Sequence, residues 1–498
     1  MFLNRKKYLS VDIRKSNKRR FTFICTFVTI LLVAAVSIHP QNKIKEFEKY
    51  ISDFQKNKNI PSISAGISHQ NNILWTDAKG YADVENFVPA TKKTVYRIAS
   101  ISKILTAVAI MQLVEQKKIA LDDNALRYIP FFPTKKWKFT IRQLLNHTAG
   151  IRNYRTGEFD SKENYTSTKE ALSIIISDTL EYEPGTKHLY TTLGYNLLAA
   201  VIENVSGISY TEYMQKYIFS PSGMSSTFFE YQKDIIYYRA KGYTKNSLRR
   251  LQNSALADLS IKFAGGGIIS TSNDLLKFAI NLLDGKLISS ALLDTMKTKT
   301  TLKDGKKINY GLGFSLAVDP YGTEYLYHSG NGTGFTSQLV FYQKEKVAAV
   351  HLINCNDRDL GSPSLDLVKL YLEHDKPKPM IPASDHLMTI LLNYGIDSTL
   401  VELKIIQKDT LSNIIINADE MVQFGDDLLN SKKYRDAIVI FKSVINDFPD
   451  YYRGYVGLGD AYLKDGNKGL ALRNYRQALK LNPKNTYVTS MIKKIEGG

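Results

Sequence analysis

Ser100 and Lys103 form the pair whose residue types and spacing could perform nucleophilic chemistry in this sequence. They open an apolar run over 104–114 that is typical of a buried helix. Three residues make nearly one helical turn, so the two side chains share a face and can approach each other. A serine hydroxyl becomes a good nucleophile once a neighbouring base removes its proton. A lysine can be that base where burial or nearby positive charge lowers its pKa, so the pair predicts a serine acyl-transfer centre.

Strand-like and helix-like stretches alternate between residues 43 and 373, the segment that carries the pair. Ser62 to Ser68 and Asn72 to Tyr81 predict a hairpin, with turn residues between them. Further strands are predicted at Tyr310–Val318, Glu324–His328, Phe335–Tyr342 and Val347–Asn354. A strand pair near the start and several strands near the end predict one antiparallel sheet closed by both ends of the segment.

Helical patterns occupy the middle of the same segment. They lie at 100–116, 140–146, 168–179, 194–205, 210–217 and 272–284. Thr140, Thr168 and Ser272 are the predicted N-caps, because a hydroxyl there can accept a bond from a free backbone N–H group. Ser206-Gly207 predicts a helix end.

A Pro/Lys-rich linker, 374–384, separates this segment from a helical region over 385–498 that contains an internal repeat. The repeat matches, at a spacing of 34 residues, Phe424-Gly425, Leu428, Ala437, Phe441 and Pro449 with Leu458-Gly459, Tyr462, Ala471, Tyr475 and Pro483. This pattern resembles tetratricopeptide repeats, with a degenerate unit at about 385–413 and a capping helix at 485–495. Such stacks bind a protein or peptide partner on a concave face, and the alternative is a purely structural appendage.

The amino terminus predicts a membrane signal. Residues 1–20 carry eight basic residues and one aspartate, and 21–38 are apolar apart from small hydroxyls and Cys25. The apolar length approaches the roughly 20 residues that span a bilayer, so we expect a basic cytoplasmic segment, a single-pass membrane anchor and an exported remainder. A cleaved signal peptide, with release to the periplasm, is the alternative, since Ala35-Val36-Ser37 fits a small-x-small cleavage site.

Composition narrows the class of protein further. The 498 residues suffice for two to four domains, and the hydrophobic content of 44% is typical of globular proteins. A net charge of +7 out of the total of +18 lies in residues 1–20 and the rest is dispersed, which argues against nucleic-acid binding. Two distant cysteines predict no intramolecular disulfide. Eight scattered histidines predict no metal site, and without a phosphate-binding loop we expect no cofactor.

Four-residue patterns also arise by chance, so the assignment of Ser100 depends on further motifs. These are Leu144–Gly150, Glu183–Gly185, Leu189–Asn196, Ala264–Thr271 and Tyr327–Phe335. In order and spacing they resemble the β-lactamase-related serine hydrolases, which include class C β-lactamases, D-Ala-D-Ala carboxypeptidases, D-aminopeptidases and esterases. The resemblance covers about 43–373. It implies an α+β fold of the DD-peptidase/β-lactamase type, an antiparallel sheet flanked by helices beside a helical lobe, followed here by an all-α repeat domain.

The resemblance also implies roles for individual residues. Ser100 is similar to the acylated nucleophile, Lys103 to its proton-transfer partner, and Tyr190 to the tyrosine that shares the acid and base work. His328 stands where many members carry lysine. The backbone N–H groups of Ser100 and Asn331 would form the oxyanion hole, and the implied substrate-binding residues are Thr192, Ser329 and Gly330.

Several of these side chains also have a purely structural interpretation. Tyr190 could be a core tyrosine and His328 a strand-end histidine bonded to a carbonyl. His147 is interpreted as structural, near the cleft, and glycines 265–267 as positions that permit close backbone packing.

Two residues depart from the family pattern. Thr192 replaces an asparagine, so one hydroxyl stands where a donor and an acceptor would be. His328 replaces a lysine, which makes a fixed positive charge dependent on pH. Both changes weaken recognition of a penicillin or cephalosporin, so efficient β-lactam hydrolysis is not expected.

The sequence therefore predicts an exported serine hydrolase that cleaves peptide bonds, including D-amino-acid cell-wall peptides, or ester bonds through an acyl-enzyme on Ser100. The alternative is a catalytically retired hydrolase domain that serves as a membrane-tethered binding protein through its repeats. An α/β-hydrolase is disfavoured because the chain has no Gly-x-Ser-x-Gly sequence.

Overall fold

The computed structural model describes residues 42–358, 360–409 and 412–497. The predicted basic segment 1–20 and the predicted anchor or signal segment 21–38 lie outside these residues. Within the described ranges, no helix combines the length and the apolar composition needed to cross a membrane.

A seven-stranded antiparallel sheet organises the first segment. Its strands in chain order are β1 (Ser62–His69), β2 (Asn72–Asp83), β3 (Val88–Pro89), β4 (Ser315–Val318), β5 (Glu324–Gly332), β6 (Phe335–Tyr342) and β7 (Val347–Ile353). Their spatial order is β4-β5-β6-β7-β1-β2-β3. In the middle of the sheet β1 pairs with β7, with Ile63 opposite Ile353 and His69 opposite Val347. The predicted closure of one sheet by both ends of the segment is confirmed.

Short strands form further small sheets outside the seven-stranded one. Tyr96–Arg97, Ile268–Ser270 and Phe228–Phe229 form one three-stranded sheet, and Cys355–Asn356, Tyr243–Lys245 and Leu251–Asn253 form another. Two-stranded pairs join Thr300–Thr301 with Lys307–Ile308, and Ile381–Pro382 with Ile414–Ile415.

The helices of the first segment that follow β1 pack on the sheet or form a lobe beside it. A helix occupies 42–57, and the later ones are Ser102–Glu115, Ile141–Leu145, Thr168–Ala171, Ser173–Ile176, Leu193–Ser206, Tyr210–Met214, Phe263–Gly266, Ser272–Leu283, Ser290–Met296 and Pro363–Tyr371. Short 3₁₀ turns lie at Ala99–Ile101, Ala125–Tyr128 and Ser260–Lys262, and a π-turn at Gln215–Phe219. Ser102–Glu115 is the central helix: eleven of its residues are buried, because its side chains are apolar nearly all round.

Helix ends agree with the sequence only in part. Thr140 caps its helix as predicted, in a reciprocal capping box with Gln143. The predicted caps Thr168 and Ser272 are wrong by one residue. The extended residues before them, Ser167 and Thr271, accept the backbone bonds instead. Gly207 ends its helix in the left-handed conformation, as expected of a glycine stop.

Three predicted elements differ in extent. The predicted helix 168–179 is two short helices divided at Leu172. The predicted strand Tyr310–Val318 begins at Ser315, after Gly313, whose φ of +85° interrupts an extended chain. Strand β5 continues past His328 to Gly332 because it stays paired with β6, with Gly332 opposite Phe335.

Helical hairpins make up the carboxy-terminal region. Its helices are Ala383–Lys408, Ala418–Asn430, Tyr434–Asp447, Tyr452–Lys464, Lys468–Leu481 and Thr486–Glu496. Gly395 has a non-helical conformation and divides the first into two helical segments, where the degenerate unit was expected. Gly425 and Gly457 both face the Phe441 ring, where an added Cβ would lie 2.6 and 2.2 Å from ring atoms. Small residues therefore allow the repeat helices to pack closely on an aromatic side chain.

Gly457→Ala should destabilise this region by about 1–3 kcal/mol, because a methyl group has no space beside Phe441. Gly469→Ala is the matched control, since the nearest atom to its Cβ would be 3.8 Å away. Urea unfolding of both variants measures the difference. Equal midpoints in the two variants would contradict the packing described here.

Candidate active site

Ser100 lies in the 3₁₀ turn Ala99–Ile101, directly before the central helix. Ala99 has a φ of +46°, which is uncommon for a residue other than glycine and is typical of strained functional sites. The hydroxyl of Ser102 donates to the Ala99 carbonyl over 2.7 Å, and the hydroxyl of Ser337 donates to the Ile98 carbonyl over 2.8 Å. These bonds hold the turn, which leaves Ser100 half-buried at the edge of a cleft.

Lys103 is fully buried beneath this serine. Its Nζ lies 3.0 Å from Ser100 Oγ, 3.0 Å from Thr192 Oγ1 and 2.7 Å from the Gly265 carbonyl oxygen. Burial, and then the positive charge of Lys262, hold the pKa of Lys103 well below its usual range. The amine is thus poised to accept a proton from the hydroxyl it touches.

Gly265 can reach Lys103 because it has no side chain. A Cβ there would lie 2.5 Å from Thr192 Cγ2 and 3.1 Å from the Thr192 carbonyl oxygen. The glycine-rich segment therefore brings two backbones together, as its interpretation from the sequence proposed. No role in phosphate binding is needed to explain it.

Tyr190 lies on the other side of the lysine, with its ring centroid 4.9 Å from Lys103 Nζ. Burial raises the pKa of Tyr190, and its hydrogen bond with Ser100 opposes only part of that effect. The phenol therefore stays protonated at neutral pH.

His328 projects from β5 into the same site, and its ring centroid is 6.0 Å from that of Tyr190. Its Nδ1 lies 2.7 Å from the Ser329 carbonyl oxygen and its Nε2 lies 3.2 Å from the Tyr310 hydroxyl. Burial, followed by the charge of Lys103, lowers the pKa of His328 to about 3. The imidazole is therefore neutral, and the position has no positive charge at physiological pH.

A directional chain of hydrogen bonds fixes the tautomer of that imidazole. The Thr191 N–H donates to His147 Nδ1, so the proton of neutral His147 is on Nε2, which lies 3.2 Å from the Tyr310 oxygen. Tyr310, kept protonated because burial raises its pKa, then donates to His328 Nε2. His328 Nδ1–H donates in turn to the Ser329 carbonyl. Along this series of bonds, the two imidazoles and the Tyr310 hydroxyl each accept one hydrogen bond and donate one.

Two members of this hydrogen-bond series, His147 and Tyr310, were not predicted from the sequence to be site residues. His147 was interpreted as structural; its ring lies 4.4 Å from that of Tyr190, and its φ is +60°. Tyr310 was assigned only to a strand. The Tyr-Gly-x-Gly-Phe sequence starting at Tyr310 was an available signal, but its histidine partner lies 163 residues earlier.

The end of strand β5 lies against the turn that carries the nucleophile. A Cβ on Gly330 would lie 2.4 Å from the Ile98 carbonyl oxygen and 3.1 Å from Ala99 Cβ, so glycine permits this close approach. Asn331 is exposed, and its side-chain oxygen accepts a bond from Asn356 Nδ2 over 2.5 Å. Ser329 accepts a bond from Gln338 over 3.1 Å.

A cleft of about 520 Å³ opens above Ser100, a volume within the usual range for small-molecule sites. Its lining consists of Ser100, Asn153, Tyr154, Phe159, Tyr190, Thr192, Ser315, Tyr327, His328, Ser329 and Asn331. The structure thus brings the sequence-predicted residues together. Lys103 and Gly330 do not line the cleft: Lys103 is buried below Ser100, and Gly330 packs against Ile98 and Ala99. Asn153, Tyr154, Phe159, Ser315 and Tyr327 were not predicted.

No group of three or more histidine, cysteine, aspartate or glutamate residues that could hold a metal ion occurs in the described parts of the chain.

Comparison with known proteins places this site in a family. The family model described as Beta-lactamase matches residues 47–371. The chain belongs to the beta-lactamase family. A second model, described as Tetratricopeptide repeat, matches residues 452–485, which bears out the repeat interpretation.

Similar proteins include a serine beta-lactamase-like protein and a penicillin-binding protein. The chain is 31% identical over 432 residues to the Serine beta-lactamase-like protein LACTB, mitochondrial, of Bos taurus, covering 65% of this chain and 77% of the relative. It is 29% identical over 336 residues to Penicillin-binding protein 4* of Bacillus subtilis, covering 63% and 72%. The chain is therefore a member of a serine beta-lactamase-like hydrolase family.

Solved structures agree on the fold. An octameric penicillin-binding protein homologue from Pyrococcus abyssi superposes with a TM-score of 0.58 at 26% identity, covering 70% of this chain and 82% of that one. A D-amino acid amidase from Ochrobactrum anthropi SV3 gives 0.57 at 22%, covering 66% and 98%, a level that supports the fold alone. The predicted α+β fold class is confirmed.

Tyr310→Phe should lower the free energy of unfolding by about 2 kcal/mol or more. It removes the acceptor for His147 and the donor for His328, and each buried unpaired group costs roughly 1–3 kcal/mol. Chemical denaturation measures the loss. Tyr394→Phe, at a side chain that is 70% exposed, is the control and should be neutral. Equal stability of both variants would argue against a chain of paired groups.

Proposed function

We propose that this protein is a serine hydrolase that forms an acyl-enzyme on Ser100 and releases it to water. The observation that carries the proposal is the 3.0 Å contact between Ser100 Oγ and a buried Lys103 amine whose pKa is lowered. A neutral amine at this distance can act as the general base that a serine nucleophile requires.

In acylation, Lys103 takes the hydroxyl proton while Ser100 Oγ attacks the substrate carbonyl carbon. The carbonyl electron pair moves to oxygen, and the backbone N–H groups of Ser100 and Asn331 stabilise that charge in this proposal. Two preorganised donors suit this role, since the loss of one typically costs about 100- to 1,000-fold in rate. The nearby amino end of the central helix also favours negative charge.

Collapse of the tetrahedral intermediate requires a proton for the leaving group. Tyr190 is suited to deliver it, because it is a protonated phenol in contact with Ser100 and beside Lys103. The phenol gives its proton to the leaving nitrogen or oxygen and regains one from the Lys103 ammonium. Water then attacks the ester carbonyl and its proton passes to Lys103. The bond between the acyl carbon and Ser100 Oγ breaks, the Lys103 ammonium returns that proton to Oγ, and a carboxylic acid is released.

Peptide or ester substrates suit the cleft better than β-lactam antibiotics. Neutral His328 supplies no charge for an antibiotic carboxylate, and the hydroxyl of Thr192 is engaged by Lys103. Tyr154, Phe159 and Tyr327 offer aromatic surfaces to an apolar acyl or side-chain group. The similarity to penicillin-binding proteins supports our proposal that the substrates include peptides, among them the D-amino-acid peptides of cell walls.

We further propose residues 43–373 as the catalytic domain, 374–384 as a linker and 385–498 as a site for a protein or peptide partner. The basic and apolar amino-terminal sequence supports anchoring at a cell membrane through 21–38, with the catalytic domain exported. Cleavage of that segment would release the domain instead. A retired hydrolase serving only as a scaffold is disfavoured by the intact contacts of Ser100 with its lysine and tyrosine.

Ser100→Ala should reduce hydrolysis of nitrophenyl esters by about 1,000-fold or more and abolish labelling by a fluorophosphonate. Ser490→Ala is the matched control, because Ser490 also has a lysine three residues later but lies exposed on the last helix. Turnover and labelling of the full chain are measured together. Unchanged turnover in Ser100→Ala would remove the mechanism, and a panel of ester, D-Ala-D-Ala peptide and β-lactam ranks the substrates.

The pH dependence of acylation should show one rise, through the lowered pKa of Lys103, because the base must be uncharged. His328, with a pKa of about 3, stays neutral and adds no inflection between about pH 5 and 8. Lys103→Arg should abolish acylation because a guanidinium keeps its proton, whereas Lys493→Arg should not change it. An inflection near pH 6.5 that disappears in His328→Asn would assign the base to His328 instead.

A further inference from the structure

The side chain of Asn356 makes three hydrogen bonds to the end of β5, the start of β6 and the turn between them. Its Nδ2 donates to the Asn331 side-chain oxygen over 2.5 Å and to the Phe335 carbonyl over 2.9 Å. Its Oδ1 accepts from the Gly334 N–H over 2.5 Å. One amide from outside the hairpin therefore ties the end of β5, which carries Asn331, to the turn at Gly334 and to the start of β6.

Asn356 is in turn held by its own strand. Cys355–Asn356 pairs in parallel with Tyr243–Thr244, and the Cys355 carbonyl accepts a bond from the Thr336 hydroxyl over 2.9 Å. The next residue, Asp357, is part of a buried ion cluster. The position of the Asn356 amide thus depends on contacts that lie away from the cleft.

That cluster contains two cations and two anions: Lys245, Arg249, Asp357 and Asp385. Asp357 lies 2.8 Å from both Lys245 Nζ and Arg249 Nη2, and Asp385 contacts the same two cations. The four side chains are between 1% and 11% exposed. Removing one member would leave an uncompensated buried charge, so the four groups hold each other in place.

Asp385 belongs to the carboxy-terminal region, in the first turn of helix Ala383–Lys408. The hairpin that carries Lys245 and Arg249 also contacts later helices of this region. The Ser247 hydroxyl lies 2.8 Å from that of Ser431, and Leu248 packs against the apolar cluster of the repeats. The helical region is therefore joined to the hydrolase segment by buried charges as well as by packing.

We propose that Asn356 is a positioning residue for Asn331 at the end of β5, and that the carboxy-terminal helical region sets the position of Asn356 through the Asp385, Arg249 and Asp357 contacts. The inference rests on the proposed function, in which the Asn331 N–H stabilises the transition-state oxygen. Such a donor works only within about 2.7–3.1 Å of that oxygen. A displacement of about 1 Å near a reacting centre can cost about 100-fold in rate.

The experiment uses the full chain and measures kcat and KM for a nitrophenyl ester. Asn356→Ala should lower kcat about 10-fold or more with KM nearly unchanged. The substitution removes the bond that fixes Asn331 at the end of β5 and leaves the residues that contact the substrate in place. Asn331→Ala, which keeps the backbone N–H and removes only the partner side chain, should show a similar loss. This second variant tests the bond even where Asn356→Ala folds poorly.

Asp385→Asn should lower kcat several-fold, because it removes one anion of the buried ion cluster that adjoins Asn356. Asp419→Asn is the control in the same helical region and should leave kcat unchanged, because the ion pair of Asp419 with Arg453 is exposed. In the Asn356→Ala background, Asp385→Asn should add little, because both changes act through one amide. Additive losses, or wild-type kcat in Asp385→Asn, would overturn the link to the helical region. Wild-type kcat in Asn356→Ala and Asn331→Ala would overturn the positioning role.

Fluorophosphonate labelling of Ser100 separates this inference from the proposed function. If every variant except Ser100→Ala is labelled, the acyl-enzyme mechanism is supported independently of the kcat values. Absence of labelling in the unmodified chain would instead be a failure of the mechanism, and the positioning role would fall with it.

Discussion

The site depends on the burial of one lysine amine among uncharged oxygens. The three partners of Lys103 Nζ are two hydroxyls and a carbonyl, and none of them is an anion. A carboxylate in their place would stabilise the ammonium and remove the base. The apolar central helix, the glycine at 265 and the threonine at 192 all serve this arrangement, because each places a neutral atom or excludes water beside the amine.

The neutral histidines follow from the same constraint. Burial, and after it the charge that Lys103 carries when protonated, lowers the pKa of both His147 and His328. Neutral imidazoles have one donor and one acceptor each, which lets Tyr310 link them in a single direction. The result is a site whose bond pattern is fixed before any substrate enters, and preorganisation of this kind is a main source of catalytic power.

Local patterns in the sequence were sufficient for much of the fold. The hairpin β1–β2 and the strand Phe335–Tyr342 follow from a composition rich in β-forming residues and from the turn residues around them. Neighbouring hydroxyls, such as Ser167 and Thr168, cannot be ranked as caps without the backbone conformation. The glycine-rich end of β5 has the composition of a turn, yet remains in the sheet because β6 supplies its bonds. Local sequence does not contain that information.

The candidate site was predictable where a motif is short and its partners are near. Ser490 and Lys493 have the same spacing as Ser100 and Lys103 but lie on an exposed helix, so spacing alone does not make a base. What distinguishes Ser100 is the segments far away in sequence that bury its lysine. The pairing of His147 with Tyr310, and the reach of Asn356 to Asn331, depend on tertiary contacts that no local pattern encodes.

The pairing of β1 with β7 has a consequence for biosynthesis. Central strands that meet as Ile63 and Ile353 belong to opposite ends of the hydrolase segment, so the middle of the sheet cannot form until most of the chain has been synthesised. Until then β1 has an open edge, rich in buried-type residues, that could pair with another chain. Contacts this distant in sequence also slow folding. A nascent chain that stops before residue 347 would therefore be prone to aggregation and is a natural substrate for chaperones and proteases.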